Sequence, residues 1–159
     1  MILRIAKIAT AYSIAAFFTL VTFGNLTDYG TNFAFVQHVM AMDSIFATSS
    51  IKYRAITDPA VHHAAYGLII AAQATISALC WAGVIRLLWR VRDEATRFNR
   101  SKDLIVIGLT LGFLLYQFGF VTIGGEWFGM WMSQQWERRA QRVPLPGDDY
   151  CRADLRVTA

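Results

Sequence analysis

Three long apolar runs constrain this chain more than any other feature. They cover roughly residues 4–24, 60–88 and 104–124. A bilayer core of about 30 Å takes about 20 apolar residues of helix, and a helix satisfies its own backbone polar groups where water is absent. No Lys, Arg, Asp or Glu lies in the middle of any run. Only 16% of the 159 residues are charged and 55% are hydrophobic, against about 25% charged in a typical soluble domain. The expected fold is an all-α membrane protein: three transmembrane helices plus two interfacial amphipathic helices, one membrane domain over 1–142, and a flexible tail over 143–159.

Local signals place the ends of the runs. Arg4 and Lys7 at the start of the first span, ahead of its uncharged core Ile8–Phe23, also fit a secretory signal. No small-x-small site follows cleanly through Phe23-Gly24-Asn25, so an uncleaved spanning helix is the reading. Asp58-Pro59 reads as a cap followed by a first-turn proline. The second helix is expected to continue past the membrane from Arg90 to Phe98. Gly124-Gly125 reads as the stop of the third. The next stretch, about 126–139, carries Trp127, Trp131 and Trp136, then Arg138 and Arg139. It suits a helix lying among headgroups.

The other interfacial helix is expected over about 32–48. In FAFVQHVMAMDSIF (33–46), Phe35, Val39, Met42 and Phe46 form one apolar stripe at helical spacing, with Val36 and Met40 beside it. Gln37, Ser44 and Thr48 gather opposite. On this wheel Asp43 falls within the apolar face. A buried carboxylate there needs a donor, to be found in His62, His63, Lys52, Arg54 or a backbone N–H on the bundle top.

Orientation follows from six basic residues in the connection Arg86–Lys102, which should face the cytoplasm. That puts the N-terminus inside, and residues 25–58 and the C-terminus outside. Arg138, Arg139 and Arg142 pull the other way.

Small residues mark candidate packing faces. The second helix carries Gly67, Ala71, Ala74, Ala78 and Ala82 on one face, and the third offers Gly108, Gly112 and Gly119. Close backbone approach is what such faces permit in lipid, either inside the bundle or against a partner subunit. Gln73 and Gln117 lie inside spans and are expected to bond to neighbouring helices. A pump or ion-coupled transporter is disfavoured by the lack of mid-span charges; a small oligomeric channel is the least favoured class.

Polar residues unusual for such a chain collect at the outer interface: Asn25, Asp28, Tyr29, His38, Asp43, His62, His63 and Glu126. Three roles compete for them: a staple holding the outer helix to the bundle, a metal or b-type haem site, or a quinone or lipid-headgroup pocket walled by Trp127 and Trp131. The spacing gives no metal motif, and adjacent His62 and His63 would point about 100° apart on a helix. Cys80 and Cys151 form neither a disulfide nor a zinc pair on this reading. No phosphate loop, nucleophile elbow or nucleic-acid-reading pattern is present, so no catalytic residue is assigned.

NLTDYGTNFAFVQHVMAMD after the first helix, KYRAIT before the second and GGEWFGMWMSQQW after the third together resemble a family of small predicted integral membrane proteins of bacteria, a domain of unknown function. The resemblance covers about residues 4–137. The family's last motif usually reads MWQS before its tryptophan; here Met132 stands in place of that glutamine. The resemblance implies a bacterial inner membrane protein and no reaction. The leading expectation is a non-catalytic accessory or assembly subunit contacting the lipid bilayer and other membrane subunits. The alternative is a redox or ligand-binding subunit with a quinone, haem or metal at the outer interface.

Overall fold

The computed structural model describes residues 1–133. Every element among them is helical: α1 Ile2–Thr27, α2 Tyr29–Ala41, a 3-10 turn Ser50–Arg54, α3 Pro59–Trp89, α4 Ala95–Arg100, α5 Asp103–Leu114, a π-helix Leu115–Trp127 that prolongs α5, and a 3-10 turn Met130–Met132. Three stretches are long and apolar enough to cross a membrane: Ile2–Thr27, Pro59–Trp89 and Ala95–Trp127.

The spans run up, down and up. α1 and α3 are antiparallel: Ile8 and Ala11 pack with Val84 and Leu87 at one end, and Ala15 and Phe18 with Ile76 and Cys80 further along. α3 and α5 are antiparallel and very close, because glycines remove the side chains between them. A Cβ on Gly83 would lie 2.5 Å from Ile105 Cγ1 and one on Gly108 2.7 Å from Cys80 Sγ; toward α1, one on Gly112 would lie 2.8 Å from Phe18 Cζ. Gly67, Ala74, Ala78 and Ala82 point away from this contact, and Ala71 lies at the edge between the two faces. All five are exposed, and a Cβ on Gly67 would meet nothing within 4 Å.

α3 starts as the Asp58-Pro59 signal predicts. The Asp58 carboxylate accepts from the Ala60 N–H at 2.8 Å, and Pro59 fills the first turn, where no N–H is needed. The expected continuation to Phe98 does not occur. The helix stops at Trp89, turns, and resumes as α4. Two interactions hold that turn. Arg4 Nη1 donates to the carbonyls of Val91 and Asp93 at 2.8 and 2.5 Å, and Phe98 swings inward to the cluster of Ile8, Ala11, Val84, Leu87 and Ile105. A straight helix would leave that ring in water.

Gly124-Gly125 does not stop the third span either. The π-helix carries through to Trp127, and the chain turns at Gly129, whose φ of +64° favours a residue without a Cβ.

α2 is shorter than the expected helix over 32–48. It ends at Ala41, and Met42 takes a left-handed conformation at φ 50°, ψ 32°. That costs a non-glycine residue about 1–2 kcal/mol. Burial offsets it: Met42 is 1% exposed and packs with Ile45, Phe128 and Met132 under Ile51, Ala55 and Ile56. This small core joins the loop after α2 to the end of the third span; we call it the cap. Of the expected interfacial helix over 126–139, residues 126 and 127 finish the π-helix and 130–132 form the 3-10 turn. Residues 134–139 and the tail over 143–159 lie outside the described residues.

Candidate functional site

Polar side chains in the spans are tied to one another along the α1–α3 seam. Trp81 Nε1–H donates to Thr19 Oγ1 at 2.9 Å. The Thr19 hydroxyl proton goes to the Ala15 carbonyl, which leaves Ser77 as the donor in the 2.8 Å Thr19–Ser77 bond. Two turns toward the cap, Asn25 Nδ2 donates to Gln73 Oε1 at 2.7 Å, and the Tyr66 hydroxyl donates to the Asn25 carbonyl at 3.0 Å. Gln73 and Tyr66 are buried. Gln73 thus bonds to a neighbouring helix, as an amide in lipid should. Gln117 instead is exposed on the outer surface of the third span.

The two adjacent histidines part company. His62 is buried, its Nε2–H donating to the Ile56 carbonyl at 2.7 Å, while its Nδ1 is buried without a hydrogen-bond partner. His63 lies on the surface, stacked on Phe33 at 4.0 Å, with Nδ1 2.8 Å from the Tyr29 hydroxyl. One histidine therefore pins the loop before α3, and the other pins α2 to the first turns of α3.

Asp43 does not face the bundle top. With α2 ended at Ala41, the wheel over 33–46 no longer applies to it. Its carboxylate meets His38 Nδ1 at 2.5 Å, and the two side chains are 47% and 42% exposed. The donors proposed on the bundle top, His62, His63, Lys52 and Arg54, are thus replaced by one five residues earlier in the chain. Ser44, expected on the solvent side, accepts from the buried Ser133 hydroxyl at 2.8 Å. A half-exposed pair contributes about 0–1 kcal/mol. Asp43→Ala should therefore stay within about 1 kcal/mol of wild type in detergent melting. A loss above about 2 kcal/mol would restore a buried, stapling role to this carboxylate.

Glu126 ends the third span exposed, and Trp131 is exposed. Trp127 lies under the Arg54 guanidinium at 4.6 Å. Neither tryptophan walls a pocket with the histidines. Among the described residues, no three His, Cys, Asp or Glu side chains stand close enough to share a metal ion.

A concavity among the described residues lies away from the histidines and the carboxylates. It is a half-open groove of about 720 Å³, within the usual ligand range. Its walls are α3 and the third span, and Val36 and Val39 of α2 close its cap end. Among the described lining residues Thr75 carries the only polar side chain, and that hydroxyl already donates to the Ala71 carbonyl at 2.8 Å. On the third span the lining includes Leu115, Gly119, Gly124 and Phe128, at steps of four, five and four. This spacing belongs to the wider π winding, in which bonds run from i to i+5. A search at the α period of 3.6 passes over it.

A model of the family described as "Predicted small integral membrane protein (DUF2165)" matches residues 3–144. No curated protein and no solved structure matches the chain.

Proposed function

We propose, from the premise that the chain belongs to this family of predicted small integral membrane proteins, that it acts as a non-catalytic accessory or assembly subunit docked on a larger complex of the bacterial inner membrane. The observation that carries this reading is the outward small-residue face of α3. Gly67, Ala74 and Ala78 are exposed, and no helix among the described residues covers them; Ala71, also exposed, borders the groove. In lipid, helices associate by close packing and interhelical hydrogen bonds, since apolar burial supplies little drive. A flat strip of small residues suits the first, and the exposed Gln117 amide suits the second.

A photo-crosslinking residue at Ala78 should give one discrete protein adduct in membranes, and Ala74→Leu should abolish it with the melting temperature unchanged. The same residue at Phe113, exposed on another span, should yield lipid adducts. Lipid adducts alone at Ala78 would sink the docking reading.

The groove supports a second reading, a ligand-binding subunit that holds one long apolar chain, such as the tail of a quinone or lipid. Co-purification of one such species, lost in Gly119→Leu, would favour it. A metal or haem finds less support, because His62, His63 and the His38–Asp43 pair point to separate partners.

The proposed orientation puts the N-terminus in the cytoplasm, from the basic connection between α3 and α5. Ser101 is buried and unsuited to labelling; Thr96 and Lys52 are exposed. Thr96→Cys should resist an impermeant thiol reagent in intact spheroplasts, and Lys52→Cys should react. The opposite pattern would invert the topology.

A further inference from the structure

The end of the bundle opposite the cap is strongly basic. Arg4, Lys7, Arg86, Arg90, Arg92, Arg97, Arg100 and Lys102 face three carboxylates there, Asp93, Glu94 and Asp103, a balance of 8 − 3 = +5. Most of these cations are spread over the surface. Three are not. Arg4 and Lys7 from the first turns of α1 converge with Lys102 from the turn ahead of α5. The Arg4 guanidinium lies 4.9 Å over the Phe98 ring, and the Lys102 ammonium lies 5.4 Å from the same ring. Lys7 lies one turn along α1 from Arg4, on the same side of the helix, and its charge acts on Lys102.

Two of the three neighbouring acids are engaged elsewhere. Asp103 pairs with Arg86 at 2.9 Å, and Asp93 stands 3.6 Å from Arg90. Lys102 is partly desolvated, and the charges of Lys7 and Arg4 repel it. Phe98 is 2% exposed and fixed in the core, so it is a rigid floor. Lys102 is steadied by Asn99 Oδ1 at 2.5 Å. Among the described residues Arg4 donates through Nη1 to the Val91 and Asp93 carbonyls, which leaves Nε and Nη2 for another acceptor. Like charges gathered from distant parts of the chain repel unless an anion sits among them. The cluster lies at the start of two spans, where phospholipid headgroups lie.

We propose that Arg4, Lys7 and Lys102, grouped around Phe98, form a binding site for the phosphate of an anionic phospholipid in the leaflet at the basic end. The lipid's phosphodiester would take charge-assisted hydrogen bonds from the two ammonium groups and the free edge of the guanidinium, and its chains would lie against the exposed apolar side of α1.

The test uses the full chain in mild detergent, titrated with phosphatidylglycerol or phosphatidylcholine and read by native mass spectrometry. Phosphatidylglycerol should bind in preference. Lys7→Gln and Lys102→Gln should each weaken it about fivefold, and together about twenty-five-fold, from roughly 1 kcal/mol per cation at a membrane surface. Arg4 is left intact because its carbonyl bonds hold the α3–α4 turn. An unchanged melting curve in phosphatidylcholine shows that the variants fold; if the double variant melts early, the two single variants carry the test. Arg100→Gln removes one charge from the same end and should change binding less than twofold. An equal loss in Arg100→Gln would reveal a diffuse field and overturn the site. Equal binding of both lipids would overturn it too. Displacement by inorganic phosphate at concentrations matching the lipid would show a free-anion site and overturn the lipid assignment.

Discussion

Gly83→Leu and Gly112→Leu are expected to lose about 1–3 kcal/mol of stability each, the usual range for forcing bulk into a packed core. The losses should fall at the upper end or beyond at Gly83. A Cβ there meets not only the Ile105 side chain at 2.5 Å but its backbone nitrogen at 3.0 Å, and a backbone cannot change rotamer. At Gly112 the obstacle is the Phe18 ring, held between Ala15 and Ile76 in the core. Gly67→Leu is the internal control. The same substitution on the open face of α3 should change stability by less than about 0.5 kcal/mol. Thermal melting of the three variants in one detergent gives the ranking. Similar melting temperatures for Gly67→Leu and Gly112→Leu would mean that α5 does not approach Phe18 of α1 as closely as described.

Gln73→Ala is the second large effect, at about 1–3 kcal/mol. It strands the Asn25 amide at the α1–α3 seam, beside the buried Tyr66. Asn25→Ala strands Gln73 in the same way, while Tyr66 loses the Asn25 side-chain contact at 3.3 Å together with its shape partner. The double variant should lose less than the sum. The coupling should be near 0.6 kcal/mol and at most about 1.7, the span measured for polar pairs between membrane helices. Thr75→Ala, whose hydroxyl bonds only to its own helix, should move stability by less than about 0.5 kcal/mol. Strict additivity of the Asn25 and Gln73 losses would show that the two amides do not act as a pair.

What the sequence conveys here depends on how local the cause is. Asp58-Pro59 fixes a helix start within three residues, and the structure starts there. The apolar runs fix the spans, because lipid leaves a backbone few other solutions. Tertiary causes are harder to see. Gly67 and Gly112 are the same residue in equally apolar runs, yet one faces outward and the other meets Phe18. A small residue is compatible with both, and only the neighbouring helix decides. Gln73 and Gln117 differ in the same way. The wheel that buried Asp43 assumed a helix running past Ala41, whereas Met42 ends it by taking a left-handed turn that its own burial offsets. The extension beyond Trp89 failed because Phe98 gains more by folding back onto Ile8 and Val84 than the helix gains by continuing. The groove has no signature at one period, because α3 lines it at the α spacing and the third span at the π spacing.

The π-helix at Leu115–Trp127 also determines how the chain tolerates changes of length. In an ordinary α-helix, deleting one residue rotates everything beyond it by about 100° and turns an inward face outward. A wide turn holds one residue more in each hydrogen-bonded loop. Removing a residue there can be absorbed by tightening one loop to the α form, and adding one by widening another. Phe128 and Met132 can then keep their places in the cap while the span behind them is shortened or lengthened. α1 and α3, wound as α throughout, have no such slack, so a deletion in either would pull the Asn25–Gln73 and Thr19–Ser77 bonds out of register.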